Sequence, residues 1–281
     1  MRRSRLLAGA AIAAALAAAT VTAATGATGA STARTLPAVA LLAAAAPVRY
    51  VALGDSYATG TGTGDYGTSG SCERSANAYP EQWAAHHSPA SFVSAACGEA
   101  TTSDVLSGQL AALNTGTTLV SITVGGNDAG FVHVMETCVL EWDSACVNAV
   151  SSAEAFVAHT LPGRLDTTLR AVRAHAPSAR VVVVGYPDLY DLSRSAGCLG
   201  LGTTKRTALD QGANVLDGAL SAAAARNGDV FADVRAQFSG HELCDSASWL
   251  YSITFPFGDS YHPTASGQEQ GYLPAFTTAA G

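Results

Sequence analysis

Two short stretches of the 281-residue chain join turn-forming glycine to polar side chains. Gly54-Asp55-Ser56-Tyr57 follows the apolar run Tyr50-Val51-Ala52-Leu53, and Gly125-Gly126-Asn127-Asp128 follows the run from Leu119 to Val124. A serine presented on a turn at a strand end can serve as a nucleophile when a base lies within hydrogen-bond reach. An asparagine presented the same way can donate its amide to a developing oxyanion, a role worth about 3–4 kcal/mol of transition-state stabilisation. Each signal also has a plainer reading. Serine is a common helix cap, and Gly-Gly-Asn-Asp is good turn chemistry that an Asx turn would satisfy.

The base has to come from elsewhere in the chain, which has seven histidines. His86, His87, His159 and His175 fall in or beside helix-like stretches, while His133 and His241 lie in irregular, cysteine-neighboured segments. His262 differs, because Asp259-Ser260-Tyr261-His262-Pro263 places a carboxylate three residues upstream. A carboxylate that accepts from one ring nitrogen leaves the other as an acceptor facing the serine. With an ordinary imidazole pKa, such a base predicts activity that falls on acidification through about pH 6–7.

Gly-Asp-Ser at 54–56, Gly98 within Ala95-Ala96-Cys97-Gly98-Glu99-Ala100-Thr101, Gly-Gly-Asn-Asp at 125–128 and Asp-x-x-His-Pro at 259–263 stand in the order of the sequence blocks of GDSL/SGNH hydrolases. The chain resembles this family over almost all of its length after the N-terminal segment. It is most similar to the secreted actinobacterial (Streptomyces-type) lipases and esterases, which show the Arg-Ser-x-x-x-Tyr-Pro pattern found here from Arg74 to Pro80. The resemblance implies a three-layer α/β/α sandwich with a flavodoxin-like, mainly parallel central sheet. It implies Ser56 as nucleophile, His262 as base and later acid, and Asp259 as the residue that orients His262. The oxyanion hole would comprise the backbone N–H groups of Ser56 and Gly98 and the side-chain amide of Asn127; glycine lets its N–H approach a ligand closely. In some secreted relatives a main-chain carbonyl orients the histidine in place of this acid. The first block also reads Tyr57 where the family name has leucine. The expected reaction is ester hydrolysis of the lipase or esterase kind, phospholipase A chemistry included, with no metal and no cofactor.

Three other readings use the same residues. A metal-dependent phosphoesterase would need several further His and Asp ligands in recognisable company, and none stands out. A non-catalytic carbohydrate-binding module on the same fold would leave filled catalytic positions unused. A carbohydrate O-deacetylase would share the machinery. The Gly/Thr-rich loop at 60–71 and the Phe255-Pro256-Phe257 segment are candidate walls of an apolar acyl groove, or simple loops.

The elements that must position these groups are legible as strands and helices in alternation. Arg180-Val181-Val182-Val183-Val184 and Leu119 to Val124 are nearly continuous β-branched runs, as expected where both faces of a parallel sheet are covered. Phe92-Val93-Ser94 and Val230 to Val234 are weaker strand candidates. Helical stretches are expected from Tyr79 to His87, Ser152 to His175 and Thr204 to Asn227, with a final helix after His262. This alternation predicts an α/β fold, with ligands gathering at the carboxyl edge of the sheet.

Residues 1–46 read as an export segment: Met-Arg-Arg-Ser-Arg is followed by a small-residue apolar stretch, with cleavage expected between about residues 24 and 46. Residues 47–281 are then a single, secreted catalytic domain. Four of the fifteen Lys and Arg residues and none of the 22 Asp and Glu residues precede Val48, so the exported part is acidic, which argues against nucleic-acid partners. The expected partners are a small-molecule or lipid ester and, transiently, a lipid interface; a monomer is expected. Six cysteines, at 72, 97, 138, 146, 198 and 244, suit three disulfides in an oxidising compartment, and no Cys-x-x-Cys pair points to zinc. Spacing favours only the 138–146 loop. The resemblance implies sequential pairing: Cys72–Cys97, Cys138–Cys146 and Cys198–Cys244.

Overall fold

The computed structural model describes residues 47–194, 198 and 200–281. The expected export segment, 1–46, lies outside the described residues. Five strands, β1 (Arg49–Gly54), β2 (Ser91–Ser94), β3 (Leu119–Thr123), β4 (Arg180–Val184) and β5 (Val230–Ala232), form one sheet in the order β2-β1-β3-β4-β5, with every pairing parallel. The register sets Gly54 beside Thr123 and Leu119 beside Arg180. All of β3 and all of β4 after Arg180 are buried, as their β-branched runs require.

The helices are α1 (Ser56–Thr59), α2 (Tyr79–His87), α3 (Thr102–Ser107), α4 (Phe131–Leu140), α5 (Asp143–His159), α6 (Leu161–His175), α7 (Thr203–Asn227), α8 (Arg235–Phe238) and α9 (Leu273–Ala280). Helices α2 and α9 pack together over one face of the sheet, where Tyr50, Tyr79, Trp83, Tyr272 and Phe276 form an aromatic cluster. Helices α3, α6 and α7 associate on the other, and α4 and α5 lie against α7 and each other as an outer hairpin. The result is the three-layer α/β/α sandwich that the sequence implies.

The helical stretch expected from Ser152 to His175 is two elements. Helix α5 ends at His159, and α6 restarts at Leu161 with Pro162 in its first turn. Proline lacks the N–H that would bond back to residue 158 and its ring crowds that carbonyl, so one helix cannot run through. The three disulfides join Cys72 to Cys97, Cys138 to Cys146 and Cys198 to Cys244.

A 2-1-3-4-5 order reverses direction between β1 and β3, and in such sheets the crevice at that point is where ligands collect. Gly54 is what allows the turn off β1. It holds φ +127°, and a Cβ there would stand 2.2 Å from the Thr123 carbonyl oxygen, so no other residue fits.

Candidate active site

Ser56 opens α1 directly after β1. Asp55 caps that helix, its Oδ1 accepting from the Tyr57 N–H at 3.0 Å, while its Oδ2 accepts from the Tyr186 hydroxyl at 2.5 Å. As the first residue of a helix, Ser56 presents a backbone N–H that the helix itself leaves without an acceptor. Gln109 holds the turn from behind: the Gly54 N–H donates to its Oε1 at 2.7 Å and its Nε2 donates to the Gly54 carbonyl at 2.8 Å. Burial raises the Asp55 carboxyl to about pKa 7, against the opposing hydrogen bonds from Tyr186 and the Tyr57 N–H.

His262 arrives from the far end of the chain. Its Nε2 lies 2.7 Å from Ser56 Oγ, across 206 residues of sequence. Tyr261, just before it, is held at φ +63° while the Tyr57 hydroxyl donates to its carbonyl at 2.7 Å. The ring packs against Tyr57 and Phe131, with centroids 5.2 Å and 6.5 Å away. Burial lowers the His262 pKa to about 4, and the main-chain carbonyls of Ser260, Asp259 and Gly258 pull the other way. The imidazole is therefore neutral, and able to accept a proton, over most of the pH range.

Asp259 departs from the expected Asp–His arrangement. Its carboxyl makes no hydrogen bond or ion pair with His262 among the described residues, and burial alone raises its pKa. Its Cβ lies instead toward Gly62, 3.6 Å from where a side chain there would begin. His262 Nδ1 is buried and makes no hydrogen bond of ordinary geometry, so the carbonyls of residues 258–260 are the polar groups acting on it.

Of the expected oxyanion donors, Asn127 follows β3 beside Ser56 in the same pocket and uses one amide hydrogen on the Ala100 carbonyl at 3.2 Å, leaving the second free. Asp128 anchors this turn, accepting from Thr102 N–H and Oγ1–H and from Arg164. Gly98 is brought to the end of β1 by the Cys97 N–H, which donates to the Gly54 carbonyl at 3.0 Å; Arg74 donates to Ala96 alongside. The Gly98 N–H itself donates to the Cys72 carbonyl at 3.1 Å, so it is engaged within the protein.

From Ser56 and Asn127 a pocket, partly open to solvent, runs between α4, α5 and α7. Phe131, Val134, Val150, Val157, Leu209 and Leu216 make its walls apolar. Neither the 60–71 loop nor Phe255 and Phe257 line this pocket. A neutral imidazole on a serine hydroxyl, beside amide donors and an apolar pocket, is equipped for acyl transfer.

The profile of the GDSL-like lipase/acylhydrolase family matches residues 52–270, a span that holds Ser56, Gly98, Asn127 and His262. The chain belongs to the GDSL-like lipase/acylhydrolase family. Within that family it is 52% identical to Lipase 1 of Streptomyces coelicolor over 233 residues, covering 82% of this chain and 86% of the relative. The solved phospholipase A1 of Streptomyces albidoflavus superposes with a TM-score of 0.81 at 51% identity, covering 84% of this chain and all of that one. An extracellular lipase of Streptomyces rimosus superposes at 0.80 with 48% identity, covering 83% and 99%. This GDSL-like chain is thus a carboxylic ester hydrolase of the lipase and esterase kind.

Sequence reasoning missed Gln109, Tyr57 as a clamp on Tyr261, Tyr186 and Phe131. Their types are those of ordinary core or helix positions, and only the Gly-rich turns they brace carried a signal.

Proposed function

We propose that the protein, exported through residues 1–46, hydrolyses lipid acyl esters through an acyl-enzyme on Ser56. The observation that carries this reading is the 2.7 Å contact of His262 Nε2 with Ser56 Oγ at the mouth of an apolar pocket. Ser56 Oγ attacks the ester carbonyl carbon as its proton passes to His262 Nε2. The Ser56 N–H and the free Asn127 amide hydrogen stabilise the oxyanion, while the Gly98 N–H stays on the Cys72 carbonyl. Protonated Nε2 then gives its proton to the departing alkoxide oxygen. Water, deprotonated by the same nitrogen, attacks the acyl-serine, and the acid leaves. The carbonyls of residues 258–260 hold and stabilise the imidazolium in place of the Asp259 carboxyl. The acyl chain occupies the pocket between α4, α5 and α7, a room suited to lipid chains of the sort the related lipases and phospholipase A1 are named for.

The test is hydrolysis of p-nitrophenyl esters from acetyl to palmitoyl, run with EDTA and beside Ser56→Ala. Chelator-resistant turnover that falls by about three orders of magnitude or more in the variant is expected. Turnover unchanged by Ser56→Ala would overturn the assignment.

A further inference from the structure

We propose that the loop from Leu250 to Pro263 is a lipid-contact surface, in which Ile253, Phe255 and Phe257 enter the hydrocarbon of an uncharged or zwitterionic lipid layer and seat the Ser56 site on it. The inference rests on the lipid-ester reading above and adds the partner surface and the residues that meet it.

Phe255 is 85% exposed, the most exposed large apolar side chain among the described residues, and Phe257 is 73% exposed. Their ring centroids lie 6.1 Å apart and edge-on, and Ile253 is half exposed beside them. Leaving such area in water is unfavourable, and exposed apolar clusters of this kind mark contact surfaces. The rings do not line the acyl pocket, so they are not the walls that hold a bound chain.

The loop is stiff where it meets the site. Leu250 bridges antiparallel to Pro263, the Tyr251 N–H donates to the His262 carbonyl at 3.0 Å, and the Tyr261 N–H donates to the Tyr251 carbonyl at 2.9 Å. The Thr254 N–H closes the upper part on Ser260 Oγ at 3.0 Å. The segment that carries the base therefore also carries the aromatic tip, and whatever the tip enters is held next to His262.

Charge selects the kind of surface. No charged residue lies between Asp245 and Asp259, no Lys or Arg follows Arg235, and the whole chain carries a net charge of −7. Anionic lipid has nothing to attract it here, whereas hydrocarbon beneath neutral or zwitterionic headgroups does. A protein partner is a poorer fit, because three side chains fall far short of the roughly 800 Å² per partner that a stable interface buries. The other exposed apolar pair, Leu140 and Trp142, is interleaved with Glu141 and Asp143, whose charges oppose entry into hydrocarbon, whereas Asp259, the one charged side chain of the 250–263 loop, is partly buried against Gly62.

The experiment is co-sedimentation of the exported protein with phosphatidylcholine vesicles, with every variant built on Ser56→Ala so that the vesicles are not consumed. Phe255→Ser/Phe257→Ser should lower the partition coefficient about tenfold or more, while Leu140→Ser/Trp142→Ser leaves it unchanged and added salt does not weaken binding. In the Ser56 form, the Phe255/Phe257 double variant should hydrolyse p-nitrophenyl acetate at the parent rate, showing that it folds. Three results would each overturn the proposal: no binding by the parent, equal binding by the Phe255/Phe257 variant, or a parent dimer that this variant dissolves. A parent that binds vesicles through these residues yet turns over no ester in its Ser56 form sinks the hydrolase reading alone.

Discussion

A general base must be unprotonated at the working pH, and His262, proposed for that role, is brought to that state by burial rather than by partnership with a carboxylate. Its lowered pKa, about 4, moves the acid limb of kcat/KM well below the pH 6–7 expected of an ordinary imidazole. The sign follows from the chemistry: a protonated Nε2 cannot take the Ser56 proton, so activity is lost as pH falls through the folded-state value and is retained above it. With p-nitrophenyl acetate, the rate at pH 5.5 should lie within about twofold of the rate at pH 7.5. Asp259→Asn should leave kcat/KM within about threefold of the parent, since its carboxyl does not touch the ring; losing a true orienting carboxylate costs about four orders of magnitude. A loss of that size would reinstate the carboxyl. Ser56, Asn127 and His262 were legible because each stands in a short motif. The direction of the Asp259 carboxyl was not, because the spacing Asp-x-x-His fixes the distance along the chain and leaves the rotamer to the turn at Tyr261.

At the scale of elements, strand ends carry the polar groups while helices shape the room beside them. The strands were readable because buried parallel strands demand unbroken β-branched runs, and the loop glycines announced where β1 and β3 stop. Helix α4 was less plain: Phe131, Val134, Met135 and Cys138 keep the i, i+3, i+4, i+7 spacing of one inward face, but Val132 and Leu140 stay exposed, and His133, which reads as part of an irregular segment, lies within it. That helix and its neighbours α5 and α7 bound the pocket proposed for the acyl chain, which is why the pocket could not be located from composition. Ala153 on α5 is one of the small residues that keep it open. Ala153→Leu places extra methyl groups in the space the chain would occupy. It should lower kcat/KM for the palmitoyl ester about tenfold while the acetyl ester stays within about threefold, since misfit near a pocket wall costs about 1–3 kcal/mol. Equal losses on both esters would point to damage at Ser56 or in the fold, and the chain would then lie elsewhere.

For the molecule as a whole, the same burial that tunes the site sets how stability varies with pH. Asp55, Asp210 and Asp217 are each raised to about pKa 7, burial being the largest cause for all three. Asp210 accepts from the Leu189 and Tyr190 N–H groups and Asp217 from the Tyr186 N–H, so α7 ties down the segment after β4 with carboxyls that ionise reluctantly. Arg235 lies 3.6 Å from Asp217, too far for a hydrogen bond, and the nearer oxygen has no other partner. Each of these groups keeps a proton in the folded chain that the unfolded chain releases near pH 4, so between about pH 4 and 7 the folded state binds more protons and stability falls as pH rises. His262 acts oppositely between pH 6.5 and about 4, where the unfolded chain takes a proton that the folded chain refuses. Against His262 stand these three, joined by Glu81, Asp188, Asp229, Glu242 and Asp259, which burial also raises, and mutual repulsion in an acidic molecule grows with pH in the same direction. The carboxylates lowered by surface partners, Asp104, Asp166, Asp191 and Asp233, are mostly exposed and screened, and they change charge below about pH 4. Calorimetric Tm at pH 5 should therefore exceed that at pH 8 by about 5 °C or more. Asp217→Asn, which removes the ionisation but keeps the shape and one acceptor, should shrink that difference; a Tm that is flat or rising from pH 5 to 8 would mean that the buried carboxyls are ionised in the folded protein.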